Sequence, residues 1–266
     1  MTCRIKIIIP VYQGARQLGP TLAALAAQVS GNTAVAVVMN GPRDGSYEVA
    51  RAGLKTLAAQ GAITQLVEIA RPSRPAALTA GDRSGPQSGH RLYLDQDAIL
   101  SPGALQNILA ALEDGADFVA GVAEWRGGSF IVRSAMRAWN ALPYVRRSPA
   151  TAGMYALSAR GRARWNEWPE GFPDDKFARM HFHLDERRRL NDVRYSVEAP
   201  ADFRALTLAR RRYRTSNRVL RQGYPELMTT DKGRSVLANL GLAPCFWPGA
   251  AILMCAEMAG MWQRTR

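Results

Sequence analysis

Residues 91–102 read Arg91-Leu92-Tyr93-Leu94-Asp95-Gln96-Asp97-Ala98-Ile99-Leu100-Ser101-Pro102. An apolar run leads into two carboxylates one residue apart, and a proline follows. The run reads as a buried strand that stops at Asp95, with Ser101 as N-cap and Pro102 as first residue of a helix over 102–112. Strand alternation can aim Asp95 and Asp97 at one side of a sheet edge. Two carboxylates so close repel each other unless a cation lies between them. A divalent ion carrying a diphosphate suits the pair, because Mg²⁺ or Mn²⁺ uses one or two carboxylates plus phosphate oxygens. The alternative is a plain polar turn, since Asp-x-Asp is a short and common pattern.

Upstream, apolar runs over 5–12, 33–40 and 63–69 predict three more buried strands. Helical spacing covers 18–29, 49–60 and 75–82. Strands alternating with helices predict an α/β fold with a mostly parallel sheet and right-handed crossovers. Ligands of such sheets bind beyond the carboxyl ends of the strands. Tyr12, Asn40 and Asp95-Gln96-Asp97 all stand at those ends, so one crevice can contain them.

Downstream the pattern is less regular. Strands are predicted over 117–124, 129–132, 151–157 and 193–199, and helices over 133–142, 158–165 and 176–183. A loop rich in aromatics, proline and acids spans 165–175. A strongly basic helix is expected over 203–221.

The chain has 266 residues, a net charge of +13 and a pI near 10.4. That charge suits an anionic partner: a phosphorylated substrate, anionic lipid or nucleic acid. Cys3, Cys245 and Cys255 have no metal-ligand spacing and imply no disulfide framework. Met1 leads straight into a strand with no signal-peptide organisation, so a cytoplasmic location is expected.

Three stretches carry a family likeness: Ile7-Ile8-Ile9-Pro10-Val11-Tyr12, Val38-Met39-Asn40-Gly41-Pro42-Arg43-Asp44-Gly45, and Leu94-Asp95-Gln96-Asp97 with Ser101-Pro102-Gly103-Ala104-Leu105. In order and spacing they resemble the family 2 glycosyltransferases of the GT-A fold, over roughly the first half of the chain. The resemblance implies a Rossmann-like sheet flanked by helices. It also implies inverting transfer of a sugar from a nucleotide-diphosphate donor with Mn²⁺ or Mg²⁺. It puts Pro10 and Tyr12 beside the nucleoside, Asn40 at the base edge, Arg74 at the diphosphate, Asp95 near ribose and metal, and Asp97 on the metal. Pro173-Asp174-Asp175 stands where the family carries an acidic pair whose second member is the general base, which nominates Asp175, with Asp174 in reserve. Met39, Pro42 and Thr79 depart from the family pattern, which bears on the nucleotide more than on the reaction. Arg211-Arg212-Tyr213-Arg214 lacks the Gln and Trp of the processive members' Gln-x-x-Arg-Trp motif, so transfer of one sugar is expected rather than polymerisation.

Other residues admit two readings. Helix capping competes with catalysis for Asp174 and, less strongly, for Asp175. His183, and less so His181, could join the metal, but a solvated or hydrogen-bonded histidine is the ordinary state. Trp165 and Trp168 could wall an acceptor sugar or simply belong to the core. The arginines over 187–221 could face anionic lipid headgroups or a lipid-phosphate acceptor. The apolar tail, whose longest helix would cover 249–262, is short for a span of about twenty residues. It is either an interfacial anchor or a core helix.

The expected organisation is a catalytic domain over 1–200, with a nucleotide-sugar half (1–100) and an acceptor half (101–200), and a basic helical extension over 201–266. The expected activity is transfer of one sugar to a lipid-linked or polysaccharide acceptor at an anionic membrane surface, with the protein peripheral on its cytoplasmic face. A nucleotidyltransferase is the enzymatic rival, but its glycine-rich basic loop after the first strand is missing. A nucleic-acid binder is the other, but no nucleic-acid motif is present.

Overall fold

A computed structural model describes residues 3–87, 89–147, 151–231 and 242–262. The first half alternates strand and helix: β1 (Ile5–Val11), α1 (Leu18–Ala26), β2 (Thr33–Met39), α2 (Ser46–Ala59), β3 (Ile63–Glu68), α3 (Arg74–Arg83) and β4 (His90–Leu94). Next come β5 (Ile99–Leu100), α4 (Ala104–Glu113), β6 (Phe118–Arg126), α5 (Phe130–Ala141), α6 (Pro143–Arg147), β7 (Met154–Leu157) and α7 (Ala159–Arg162). The last elements are α8 (Asp174–Met180), β8 (Arg187–Glu198), α9 (Phe203–Gly223) and α10 (Trp247–Trp262). Among the described residues eight strands form one sheet in the order β3-β2-β1-β4-β7-β6-β8-β5. β1 to β4 pair in parallel, β7 runs against both of its neighbours, and β8 is parallel to β6.

Alternation sorts the strand side chains into two cores. Ile5, Ile7, Ile9, Leu92 and Leu94 pack with α1, α2 and α4, whereas Ile8, Tyr93, Phe118 and Tyr155 pack with α3 and α8. Asp82, near the end of α3, is buried in the second core. It accepts from Tyr93 Oη (2.8 Å), Trp168 Nε1 (2.8 Å) and Arg162 Nε (2.9 Å). Trp168 is therefore a core residue rather than a wall for an acceptor.

Several sequence expectations change. The 102–112 helix starts at Ala104, because Pro102 and Gly103 occupy the middle of a turn closed by Ala104 N–H on Ser101 C=O (3.1 Å). Gly103 has φ +77°, the conformation glycine supplies at the third position of a type II turn after proline. Ser101 is thus a turn residue and not the N-cap. The strand expected over 129–132 is the first turn of α5, because Ser129 caps it by accepting from Val132 N–H (3.4 Å). β8 begins six residues earlier than expected, with Arg187 to Arg189 paired to Phe118 to Ala120. Charged residues in a run conceal a strand that is half-buried.

α10 rests on α5 and α9 over a third core of Val132, Ala135, Leu206, Leu253 and Ala256. Gly249 lies so close to α5 that an added Cβ would meet Ser134 C=O at 2.2 Å. The single acid of α10, Glu257, ion-pairs with Arg210 and Arg214 of α9. The outward side carries exposed Trp247, Met254, Met258 and Met261. The tail helix is thus core on one side and bare apolar surface on the other. Among the described residues no helix is long and apolar enough to cross a membrane. Residues 232–241, Arg264 and Arg266 of the tail lie outside the described residues.

Candidate active site

The carboxyl ends of β1, β2 and β4 open onto a cleft of about 360 Å³. It is lined by Pro10, Tyr12, Asn40, Arg74, Asp95 and Asp97, together with Gln17 and Gln96. Six of the seven residues nominated from the sequence for nucleotide and metal therefore line this one cleft, and His183 does not.

Local structure explains each position. β4 ends at Leu94, and Asp95 N–H still bonds Gly153 C=O (2.7 Å) at the end of β7. Ala98 N–H then closes a turn on Asp95 C=O (3.0 Å). The two aspartates thus come together through a turn, not through strand alternation. Gly153 has φ +94°, and a Cβ there would lie 3.1 Å from Asp95 Oδ2, so the site needs glycine at that point. Gln96, a mere spacer in the sequence, clasps the end of β1. Its Oε1 accepts from Tyr12 N–H (2.8 Å) and its Nε2 donates to Tyr12 C=O (3.1 Å). Buried Thr21 of α1 donates to Gln96 C=O (2.8 Å) and fixes the turn from behind. The Tyr12 ring is left 54% exposed at the rim. Asn40 is buried, and its Oδ1 accepts from Ser73 N–H (2.6 Å), which joins the β2 end to the start of α3.

Arg74, the first residue of α3, spans the site. Its Nη2 donates to Asp95 Oδ1 (2.6 Å), and its Nε donates to Asp174 Oδ1 (2.7 Å). Tyr155 Oη adds a bond to Asp174 Oδ2 (3.0 Å). Asp174 and Asp175 are the first two residues of α8, but the N-cap is Pro173 and it makes no side-chain capping bond. Asp174 is an ion-pair partner. Asp175 accepts from Thr151 Oγ1 (2.8 Å) and from Lys176 N–H (2.7 Å). Burial and the Asp174 charge push the Asp175 carboxyl above the usual range, with the Thr151 bond and Arg179 offsetting part of the rise.

Asp97 makes no ion pair with Lys or Arg among the described residues. Burial, the Asp95 charge and the Glu198 charge push its carboxyl up to about 6. Arg126 offsets part of that rise without forming an ion pair with the carboxylate, and a carboxylate held beside other carboxylates with no paired cation fits a divalent ion. Among the described residues no three His, Cys, Asp or Glu side chains gather as a metal cluster, so further ligands would have to be phosphate oxygens or water.

The histidines are not brought to this site. β8 starts with Arg187 level with Phe118, Leu157 and Arg91, at the opening end of β4. His183, four residues earlier, is exposed there, with its N–H on Glu186 Oε2 (2.7 Å). α8 has carried the chain from the cleft to the opposite end of the sheet. His181 Nδ1 lies 2.9 Å from Phe177 C=O, and its ring packs on Trp165. Gln96, Thr21, Thr151 and Gly153 were not nominated by sequence reasoning. Only Gln96, between two marked residues, had a signal that could have found it.

Comparison with known proteins agrees with this geometry. The sequence profile of Glycosyl transferase family 2 matches residues 6–155. No curated protein sequence matches. Among solved structures, the mannosyltransferase PcManGT from Pyrobaculum calidifontis, in complex with GDP-Man and Mn²⁺, is similar at TM-score 0.69 and 18% identity, over 99% of this chain and 88% of that one. TarS 1–349 from S. aureus in complex with UDP is similar at TM-score 0.54 and 13% identity, over 99% of this chain and 92% of that one. Glucosyl-3-phosphoglycerate synthase from Mycobacterium tuberculosis, in complex with phosphoglyceric acid, has TM-score 0.50 and 17% identity over 73% and 70% of the two chains. These likenesses establish a GT-A architecture. With the profile spanning β1 to β7 and the paired aspartates at the β4 end, the chain belongs to glycosyltransferase family 2.

Proposed function

We propose that the protein transfers one sugar, with inversion, from a nucleoside-diphosphate sugar to a hydroxyl of a lipid-linked or polysaccharide acceptor, with Mn²⁺ or Mg²⁺ bound. The observation that carries this reading is how the site shares out four carboxylates. Arg74 neutralises Asp95 and Asp174 together. That leaves Asp97 to meet a cation and Asp175 to take a proton.

The exposed Tyr12 ring would stack on the base, and Asn40 would meet its edge. Asp97, with Asp95 beside it, would hold the divalent ion, which supplies positive charge to the leaving diphosphate. Asp175, its basicity raised by burial, accepts the acceptor's hydroxyl proton as that oxygen bonds the anomeric carbon. The carbon–diphosphate bond breaks on the opposite face, which inverts the centre. Thr151 orients the Asp175 carboxylate, and Arg74 holds α8 to the cleft through Asp174.

Peripheral binding to an anionic membrane suits the outward side of α10. Its apolar stripe lies between α5, with exposed Phe130, Ile131, Arg133 and Arg137, and α9, whose Arg211 adjoins Gly260.

A panel of nucleotide sugars with and without Mn²⁺ or Mg²⁺, scored for transfer or hydrolysis, tests the reading. One donor should be turned over with metal only, releasing a product of inverted anomeric configuration. Retained configuration, or equal turnover in EDTA, would contradict it.

A further inference from the structure

β8 opens with three consecutive arginines, and alternation gives them different surroundings. Arg188 points outward to Asp114 (2.7 Å). Arg187 is buried and donates twice to Phe182 C=O, through Nε (3.0 Å) and Nη2 (2.7 Å). Arg189 shares the face of Arg187, but its Nε and Nη1 are buried with no hydrogen-bond partner. A buried guanidinium without an acceptor is costly, because it has lost water and gained nothing in return.

The surroundings of Arg189 increase that cost. The like charge of Arg146, on α6, adds to burial in lowering the proton affinity of Arg189, and the Tyr195 phenol opposes that. α6 also presents Tyr144, whose Oη accepts from Arg179 Nη2 of α8 (2.8 Å). Arg179 lies one helical turn from Asp175 and lowers that carboxyl's proton affinity. The Tyr195 hydroxyl accepts from Ala152 N–H (3.2 Å), next to the Thr151 that holds Asp175. The charges of Asp175 and Arg189 both bear on this phenol, Asp175 raising and Arg189 lowering its proton affinity. Arg189 as a whole is only half-buried, so part of the side chain borders solvent while Nε and Nη1 do not.

We propose that Arg189 and Arg146 form a subsite for an anionic oxygen group of the acceptor, phosphate or carboxylate, beside the base Asp175. The group would satisfy the two orphaned N–H donors and separate the two guanidinium charges. It would anchor an acceptor by its charge while its hydroxyl reaches Asp175. This rests on the glycosyl-transfer reading, and it narrows the acceptor to one carrying a negative charge close to the hydroxyl that is glycosylated.

The test is thermal unfolding of the full chain at constant ionic strength. Inorganic phosphate, malonate, glycerol 3-phosphate or vesicles containing phosphatidic acid replace chloride in separate arms, each with and without Mn²⁺ and a nucleoside diphosphate. Wild type should be stabilised saturably by at least one anion, whether or not nucleotide is present. Arg189→Gln should weaken that anion roughly tenfold or more, the share of a charge-assisted hydrogen bond. It should also unfold at a higher temperature than wild type in chloride alone, because the orphaned charge is gone. Lys55→Gln, on the outer side of α2, should respond as wild type. The arm that responds names the source: carboxylate, soluble phosphate or lipid phosphate. No saturable response in any arm, or an equal response in Arg189→Gln, overturns the subsite. If Arg189→Gln fails to fold, Arg146→Gln decides, and an unchanged response there overturns it too. Loss of stabilisation by Mn²⁺ and nucleoside diphosphate in wild type would instead count against the glycosyl-transfer reading.

Discussion

Arg74 and Asp174 are joined across the cleft by a 2.7 Å ion pair between the first residue of α3 and the first residue of α8. It is the link between the nucleotide side of the fold and the helix that carries the base. Asp174 is buried and also bonds Tyr155, so its negative charge has two donors fixed in place. Asp174→Asn keeps the shape but loses the charge partner of Arg74. It should cost about 1–3 kcal/mol of stability, read by denaturant unfolding, and lower transfer by loosening α8. Unchanged stability would mean that the pair does not hold α8 to the cleft.

Asp97 yields opposite pH signatures without and with metal. Its carboxyl is pushed from 3.8 to about 6. The folded chain therefore holds this proton more tightly than the unfolded chain does. Metal-free stability should fall as pH rises from about 4 to about 6, and the ionised group should cost about 1–3 kcal/mol above that. Asp97→Asn should recover that stability at neutral pH. A bound ion needs the ionised carboxylate, so stabilisation by Mn²⁺ and nucleoside diphosphate should fade as pH drops through about 6. It should be absent in Asp97→Asn. Equal stabilisation of wild type and Asp97→Asn by the metal–nucleotide complex would remove Asp97 from the site.

The outward stripe of α10 predicts membrane behaviour. Deleting residues 249–266 would uncover Val132, Ala135 and Leu206, so truncation confuses anchoring with folding. Met254→Gln with Met258→Gln changes only exposed positions. The double variant should keep the wild-type unfolding midpoint. It should co-sediment with anionic vesicles at least about fivefold less, as loss of buried apolar area predicts. Equal sedimentation of the two proteins, or none by wild type, would show that the stripe does not meet lipid.

How much of this was legible follows from what each residue's partner is. Ile7, Val35 and Leu92 are surrounded by apolar neighbours, so hydrophobic runs alone locate β1, β2 and β4. Asp95 and Asp97 were visible because they end an apolar run in the order and spacing of the family pattern. Gln96 was not, since its role depends on the Tyr12 backbone 84 residues away. Arg187 and Arg189 read as part of a basic tract for anionic lipid or a lipid-phosphate acceptor, but pairing with β6 carries them into the sheet. Asp174 looked like a cap because it precedes a helix. Its true partner, Arg74, is 100 residues earlier. His183 depended on the direction of α8, which no local pattern gives.

In the proposed mechanism Asp175 is the base that deprotonates the acceptor. Asp175→Asn preserves size and hydrogen bonding to Thr151 but removes nearly all basicity. The decisive measurement is transfer by Asp175→Asn from the donor that the panel identifies, alongside the affinity of that variant for Mn²⁺ and nucleoside diphosphate. Affinity should stay near native, because the contacts proposed for metal and nucleotide belong to Tyr12, Asn40, Asp95 and Asp97. Turnover should fall by roughly two to four orders of magnitude, the usual share of general base catalysis. Near-native turnover in Asp175→Asn, with affinity intact, would contradict it.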